Sequence, residues 1–239
     1  VLLGARAAMV VVPGGEFQRG RTHEDPETKV AWYPNPLRDD LPVRPVHVSP
    51  FYLDEHEVTT GEYAAFVKAT RHRTPPVWAE GKAPAGRENH PVADVSWEDA
   101  AAYCAWRGKR LPTEAEWERA CRGMVEGERY PWGDREPGKG DARFDGLEGP
   151  AAVCSVPKSR AGLCDMAGNV WEWTADWYGK DYYAAAPARD PKGPATGLYR
   201  VLRGGSWFDK AGFLACSYRS WARPGERSPN IGFRCAKSF

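Results

Sequence analysis

Residues 91–123 read PVADVSWEDAAAYCAWRGKRLPTEAEWERACRG, and this stretch contains two complete helix signals in succession. Each signal opens with a capping box, in which a Ser or Thr and an acidic residue three positions later each accept a hydrogen bond from the other's backbone N–H. The two pairs are Ser96 with Asp99 and Thr113 with Glu116. Gly108 and Gly123 then supply the left-handed residue that commonly follows a last helical turn. The stretch therefore predicts two short helices, each with a cysteine near its end.

The flanking sequence predicts one further helix and several short strands. A third capping box, Thr59 with Glu62, opens the helical segment TTGEYAAFVKAT (59–70). The segments MVVVPGGEFQRG (9–20) and HVSPFYLDEHEV (47–58) are typical of strands, the first with Pro13-Gly14-Gly15 as a turn. Residues 21–45 are polar and rich in proline, which favours a surface loop. After Cys121 we expect loops with short strands in GLCDMAGNVWEWTADWY (162–178) and PKGPATGLYRVLRGGSW (191–207).

The composition combines 11 Trp with 25 Gly and 21 Pro in 239 residues. A core built from tryptophan needs loops that bring the rings together and polar partners for their N–H groups, and Gly and Pro interrupt regular elements. No repeat or linker divides the sequence, so we expect one α+β domain over residues 1–239 with little regular secondary structure. The net charge of +1 provides no basic field for nucleic acid. The apolar opening VLLGARAAMVVV is too short to span a membrane and is interpreted as a first strand.

Six cysteines permit three disulfides, but their spacing alone does not determine which pairs form. No C-x-x-C pair is present and the five histidines lie far from the cysteines in sequence, which argues against a zinc site. The even count favours an oxidising compartment. We therefore expect an extracytoplasmic protein, periplasmic or secreted, with any membrane anchoring supplied by a partner or by a removed N-terminal segment.

The densest group of candidate metal ligands lies in DMAGNVWE, residues 165–172. Asp165 and Glu172 are carboxylates seven positions apart, and Gly168-Asn169 between them favours a tight turn with exposed carbonyl groups. Oxygens of both kinds from a bent loop suit Ca²⁺, which takes about six to eight oxygen ligands. The alternative interpretation is structural, with Asp165 capping the turn and Glu172 paired with an arginine.

Several segments, taken in order along the chain, resemble the formylglycine-generating-enzyme (sulfatase-modifying factor) superfamily. Besides residues 91–123 and 162–178, they are VVVPGGEF (10–17), DEHEVTTGEYAAFV (54–67), YPWGD (130–134), RVLRGGSWF (200–208) and NIGFRCAK (230–237). The resemblance implies a compact fold related to C-type lectins. Enzymes of that family oxidise a cysteine of a sulfatase to formylglycine with copper and O₂. Two thiols that follow the Gly-Gly pair hold the copper, because Cu(I) prefers soft thiolate ligands.

The sequence departs from this pattern at the copper site and matches it elsewhere. The first thiol position is Asp209, and the second falls near Leu214 or Ala215, just before Cys216. We therefore expect neither bound copper nor formylglycine generation. The positions that match a family calcium loop are Asp165, Gly168, Val170 and Glu172. Those that match the lining of the family's substrate groove are Trp171, Ser206 and Asn230.

The resemblance also suggests how the cysteines pair. Cys104 and Cys235 match a disulfide of secreted family enzymes. Cys121 matches half of a second disulfide, whose usual partner position lies near Ser220, four residues after Cys216. Pairing Cys121 with Cys216 leaves Cys154 and Cys164, ten residues apart across a predicted turn, and the three pairs would use every thiol.

Two functional hypotheses follow. The first is a non-catalytic, calcium-stabilised recognition domain or accessory subunit that binds a protein partner or joins a larger membrane-associated assembly. The second is a divergent metal-dependent oxidase acting on a thiol or peptide, in which Cys216, with Asp209, binds copper or iron near Trp171 and Ser206. The second hypothesis requires Cys216 to be a free thiol. The iron-dependent sulfoxide synthases of the superfamily are not favoured, since the chain has no H-x-x-x-H pair.

Overall fold

The computed structural model describes residues 8–23, 39–123 and 127–239. The start of the predicted first strand and most of the predicted loop 21–45 lie outside these ranges. The strands are β1 (Met9–Val12), β2 (Gly15–Arg19), β3 (Arg44–Val48), β4 (Phe51–Asp54), β5 (Trp171–Trp177), β6 (Arg200–Arg203), β7 (Ser220–Ala222), β8 (Ile231–Gly232) and β9 (Ala236–Ser238). The helices are α1 (Thr60–Thr70), α2 (Trp97–Trp106), α3 (Glu114–Cys121) and the single turn α4 (Tyr182–Ala185). The fold class is mixed α+β with modest regular structure, as expected.

The strands form three small sheets in the described part of the chain, ordered β1-β4-β9, β2-β3 and β7-β6-β5-β8. The predicted strand, turn and strand in residues 9–20 are present, but β1 and β2 do not pair with each other. β1 pairs with β4, with Val10 opposite Leu53, whereas β2 pairs with β3, with Phe17 opposite Val46. In the largest sheet β5 pairs antiparallel with β6 and parallel with β8.

All three predicted capping boxes are formed. The caps Thr59, Ser96 and Thr113 accept from the N3 backbone N–H, and the N3 carboxylates accept in return from the cap N–H. Gly108 and Gly123 follow α2 and α3 with φ of 66° and 60°, the left-handed conformation expected there. The bounds of α2 and α3 are therefore set by local sequence.

Four tryptophans, Trp78, Trp117, Trp171 and Trp173, are buried in the core, and the other described tryptophans are partly or largely exposed. Trp117 and Trp173 are fully buried, and Trp173 Nε1 donates to the Val95 carbonyl at 3.0 Å. Trp106, by contrast, is 41% exposed. It stands at the end of α2, where its ring contacts Phe66 and Tyr103 from outside.

A buried ionic network fixes α3 against the sheets. Glu114 accepts from Arg19 at 2.7 Å and Arg219 at 2.6 Å, and Glu118 accepts from Arg203 at 2.7 Å. Burial alone would raise the pKa of Glu114, but the charges of the surrounding arginines lower it to about 2. Trp117 lies between these two glutamates in sequence. With α3 held in this position, Trp117 Nε1 donates to Glu172 in β5 of the largest sheet.

Three disulfides join Cys104 to Cys235, Cys121 to Cys216 and Cys154 to Cys164. These are the pairs suggested by the resemblance. They are nested in sequence: the loop closed by Cys104 and Cys235 contains the Cys121–Cys216 pair, whose loop in turn contains the Cys154–Cys164 pair. Among the described residues, no helix has the length and apolarity needed to cross a bilayer.

Candidate functional site

The structure removes the thiol on which the oxidase hypothesis depended. Cys216 is bonded to Cys121 and fully buried, and all six cysteines, each in a described range, are paired. The hypothesis of catalysis through a free Cys216 is therefore wrong. Cys216 is held in place because its backbone N–H donates to Arg129 and its carbonyl accepts from Arg203 at 2.6 Å.

The predicted groove residues are brought together around Asp209. Asn230 Nδ2 donates to Ser206 Oγ at 3.2 Å, and Ser206 Oγ donates to the Asp209 carboxylate. The Trp171 backbone N–H donates to the Asn230 carbonyl at 2.8 Å, and the Trp171 side chain also bonds to the Asp209 carboxylate. Gly204 and Gly205 have φ of 101° and 74°, a turn that brings Ser206 back towards β5. A predicted set separated by up to 59 positions in sequence thus forms one polar cluster.

Asp209 is the chemically distinctive member of this cluster. Burial raises the pKa of its carboxyl above the usual value, although the hydrogen bonds from Ser206 and Trp171 lower it. No ion pair joins Asp209 to a residue of the described ranges. A partly buried carboxylate with neutral donors is a hard oxygen ligand and a poor substitute for a thiolate towards Cu(I).

The predicted calcium loop is stabilised by protein contacts of its own. Both carboxylate oxygens of Glu172 accept from Arg234, at 2.7 and 2.8 Å, and one also accepts from Trp117 Nε1 at 2.9 Å. The Asp165 carboxylate accepts from the Cys154 N–H at 2.7 Å. Gly168 has φ of 80°, and the ideal position of an added Cβ lies 2.4 Å from the Arg143 carbonyl oxygen, so the turn requires glycine. Glu172 thus pairs with an arginine and Asp165 accepts a backbone hydrogen bond, as the structural interpretation of these two residues expects.

Glu57 adds a third carboxylate that the sequence analysis missed. It is fully buried, its Oε1 accepts from Asn169 Nδ2 at 3.1 Å, and its carboxyl group lies within hydrogen-bonding reach of the Asp165 carboxyl group. Burial, and then the neighbouring Asp165, raise the pKa of Glu57 well above its usual value, although Arg234 opposes them. Three acids around one arginine disfavour the fully ionised state, and either a proton shared by Glu57 and Asp165 or a bound cation would relieve the negative charge. Glu57 lies in an acidic segment between β4 and α1 that offers no spacing signal for a ligand.

The oxygens of Asp165, Glu172 and Glu57 do not all lie within 4.8 Å of one another, so calcium binding at this loop stays a prediction from the sequence. Asp165, Glu172 and Glu57, with the carbonyl groups of Gly168 and Val170, are the oxygens that would hold Ca²⁺, which would supply positive charge to this buried loop. Among the described residues, the group that does bring three potential ligand atoms within 4.8 Å of one another is Glu55 with Cys154 and Cys164. It is not a metal site, because both of its sulfurs belong to a disulfide.

Comparison with known proteins identifies the family. Residues 4–239 match the model of the sulfatase-modifying factor enzyme 1-like domain. The chain belongs to this family. It is 40% identical to the formylglycine-generating enzyme of Streptomyces coelicolor, in an alignment covering 95% of this chain and 88% of the relative.

Other relatives of this sulfatase-modifying factor domain carry different names. It is 36% identical to the inactive C-alpha-formylglycine-generating enzyme 2 of Bos taurus, covering 98% of this chain and 89% of the relative. It is 39% identical to the serine/threonine-protein kinase pkn1 of Chlamydia pneumoniae, covering 97% of this chain but 38% of that protein. Among solved structures, PvdO of Pseudomonas aeruginosa superimposes with a TM-score of 0.79 at 29% identity, covering 97% of this chain and 94% of PvdO.

Proposed function

We propose that this sulfatase-modifying factor domain is a non-catalytic, calcium-stabilised recognition domain or accessory subunit that acts outside the cytoplasm. The observation that carries the proposal is that no thiol is free to bind copper. Cys216 is consumed by its bond to Cys121, and Asp209 stands at the first thiol position of the resemblance.

The relatives support both sides of this choice, and the residues at the copper positions support the non-catalytic side. Formylglycine-generating enzymes are among the most similar proteins, but so is a relative named inactive at nearly the same identity. Oxidation of a sulfatase cysteine by copper needs the soft ligands that this chain lacks at Asp209. The proposal therefore groups the chain with the relative named inactive.

A recognition role agrees with the polar cluster around Asp209. Ser206, Asn230 and Asp209 carry hydrogen-bonding groups beside the ring of Trp171, the mixture of polar and aromatic side chains common in binding sites. The match of the same domain to part of the much longer pkn1 kinase supports a module that operates within a larger protein or assembly. The three disulfides support an extracytoplasmic location.

The test is an aldehyde assay on the oxidised protein. The protein is incubated with copper, O₂, a reductant mild enough to leave the disulfides intact, and a peptide carrying the target cysteine of a sulfatase. Formylglycine is detected with an aldehyde-reactive probe and mass spectrometry. We expect no aldehyde, whereas the Streptomyces coelicolor enzyme, run as the positive control, converts the peptide. Aldehyde formation by this protein would refute the non-catalytic assignment.

A further inference from the structure

A second cleft lies apart from the cluster around Asp209. It has a volume of about 740 Å³ and opens between α2, the start of α3, the turn between β3 and β4, and the end of β9. None of Trp171, Ser206, Asp209 and Asn230 contributes to its lining. Its volume lies within the range of about 300 to 1,000 Å³ typical of small-molecule sites.

One wall of the cleft is an apolar stripe along α2. Trp97, Ala101 and Ala105 follow one another at intervals of four residues, so they share a face of the helix. The two alanines leave room beside the tryptophan ring. Trp97 is held in place, because its Nε1 donates to the Thr174 carbonyl at 2.8 Å and the Arg200 guanidinium lies 3.8 Å from its ring centroid. This wall offers a flat, fixed apolar surface to a ligand.

The acids that line the cleft are occupied by protein donors. Both oxygens of Glu116 accept from Arg110, at 2.6 and 2.7 Å. Asp190 accepts from the Ser49 N–H at 2.6 Å and from Ser49 Oγ at 2.8 Å. Glu116 is thus paired with an arginine, and Asp190 lies near the positive charges of His47 and Arg189, so both acids already have cationic neighbours.

Two lysines that line the cleft can still donate hydrogen bonds to a ligand. Lys192 is exposed and forms no ion pair with any residue of the described ranges. Lys109 bonds to Asp54 and has further ammonium hydrogens, since a lysine carries three donors and no acceptor. Donors that face an apolar wall are complementary to a ligand with an acceptor-rich, negatively charged group on an apolar body.

We propose that this cleft binds a small organic anion with a flat apolar body, such as an aryl carboxylate or sulfonate. The apolar part lies along Trp97, Ala101 and Ala105, and the anionic group bonds to Lys192 and Lys109. The site is separate from the recognition role proposed for the Asp209 cluster, and neither depends on the other.

The experiment compares two fluorescent probes of similar shape. 8-Anilinonaphthalene-1-sulfonate carries the anion, and N-phenyl-1-naphthylamine lacks it. Titration of the folded, oxidised protein is expected to show one sulfonate probe bound per chain, with the neutral probe binding about tenfold more weakly. Equal affinity for the two probes would overturn the anion assignment.

Two variants locate the probe and one controls for surface charge. Ala105→Trp fills the cleft from an exposed helix position and is expected to abolish binding of the sulfonate probe. Lys192→Gln is expected to weaken it about tenfold. Lys139→Gln removes another exposed lysine outside the cleft and should leave binding unchanged. Unchanged binding in Ala105→Trp and Lys192→Gln, with circular dichroism confirming the fold, would place the probe elsewhere and refute the proposal.

Discussion

The Glu57 carboxylate is the residue at which the candidate calcium site is most sharply tested. It is buried beside Asp165 and Glu172, whose negative charges raise its pKa, while the charge of Arg234 lowers it. Leaving a buried acceptor and its charge uncompensated destabilises the fold. A divalent cation at this position would therefore stabilise the native state, and its effect would depend on Glu57.

We predict that Ca²⁺ raises the melting temperature of the wild-type protein and that Glu57→Gln weakens calcium affinity at least about tenfold. The substitution keeps the shape and removes the charge, and it is expected to be tolerated in the absence of calcium. Differential scanning fluorimetry over a calcium series measures both effects. Glu98→Gln, at an exposed position of α2, is the matched control. The same calcium response in Glu57→Gln and wild type would remove Glu57 from the site.

Asp176 is a second buried acid, and it lies beside the N-terminus of α3. Its Oδ2 accepts from the Glu114 N–H at 2.8 Å, and its Oδ1 has no partner. Burial, and then the Glu114 charge, raise the pKa of Asp176 from 3.8 to about 7. The folded protein therefore keeps a proton that the unfolded chain releases, and the contribution of Asp176 to the free energy of unfolding falls as pH rises from about 4 to about 7.

Asp176→Asn should remove this dependence, because asparagine keeps the oxygen acceptor and cannot ionise. Relative to wild type, we expect the variant to gain about 2 kcal/mol of unfolding free energy between about pH 5 and about pH 8. Urea denaturation at the two pH values measures the gain, with the exposed Asp181→Asn as control. If the variant and wild type differed in unfolding free energy by the same amount at both pH values, the raised pKa of Asp176 would be contradicted.

At the scale of elements, α3 depends on both its cap and its buried charges. Thr113 Oγ1 accepts from the Glu116 N–H at 3.1 Å, and Glu116 accepts in return from the Thr113 N–H at 2.7 Å. The helix has only eight residues, too few to be stable alone. Its stability thus comes from the cap, from Trp117 in the core and from the pairs of Glu114 and Glu118.

We expect Thr113→Ala to lower the free energy of unfolding by about 1 kcal/mol, the usual cost of losing an N-cap hydroxyl. Thr113→Ser keeps the hydroxyl and should cost less than half as much. Urea denaturation of the two variants beside wild type gives both values. Equal losses in the Ala and Ser variants would mean that the threonine methyl group, and not the cap hydrogen bond, stabilises the helix.

The helices could be predicted from sequence because their signals are local. Thr59, Ser96 and Thr113 each define a start within four residues of chain, and the glycines after α2 and α3 define their ends. Strand pairing follows from contacts distant in sequence, so nothing in residues 9–20 shows that β1 and β2 join different sheets. The same reason applies to the candidate calcium site. Asp165 and Glu172 could be predicted because they share one loop, whereas Glu57 and Arg234 come from distant segments and could not.

At the scale of the molecule, the disulfides are expected to contribute unequally to the free energy of unfolding. The loop closed by Cys104 and Cys235 spans 131 residues, and that closed by Cys154 and Cys164 spans 10. Closing a longer loop removes more conformational entropy from the unfolded chain, about 5 kcal/mol for the first loop and about 3 kcal/mol for the second. The first pair is also buried in the core.

Replacing both cysteines of each pair by alanine should reveal this order. We expect Cys154→Ala with Cys164→Ala to cost about 3 kcal/mol, and Cys104→Ala with Cys235→Ala to cost at least about 5 kcal/mol. Denaturant unfolding without reductant measures both against wild type. Similar losses for the two double variants would show that loop length does not govern the effect here.

The nested arrangement of the disulfides has a consequence for proteolysis. A single cut of the backbone anywhere between Cys104 and Cys235 leaves two fragments that are still joined by at least one sulfur bridge. Exposed segments such as the one around Leu147 could be nicked without releasing a fragment. A protease acting there would produce a two-chain protein that separates only when a reductant follows.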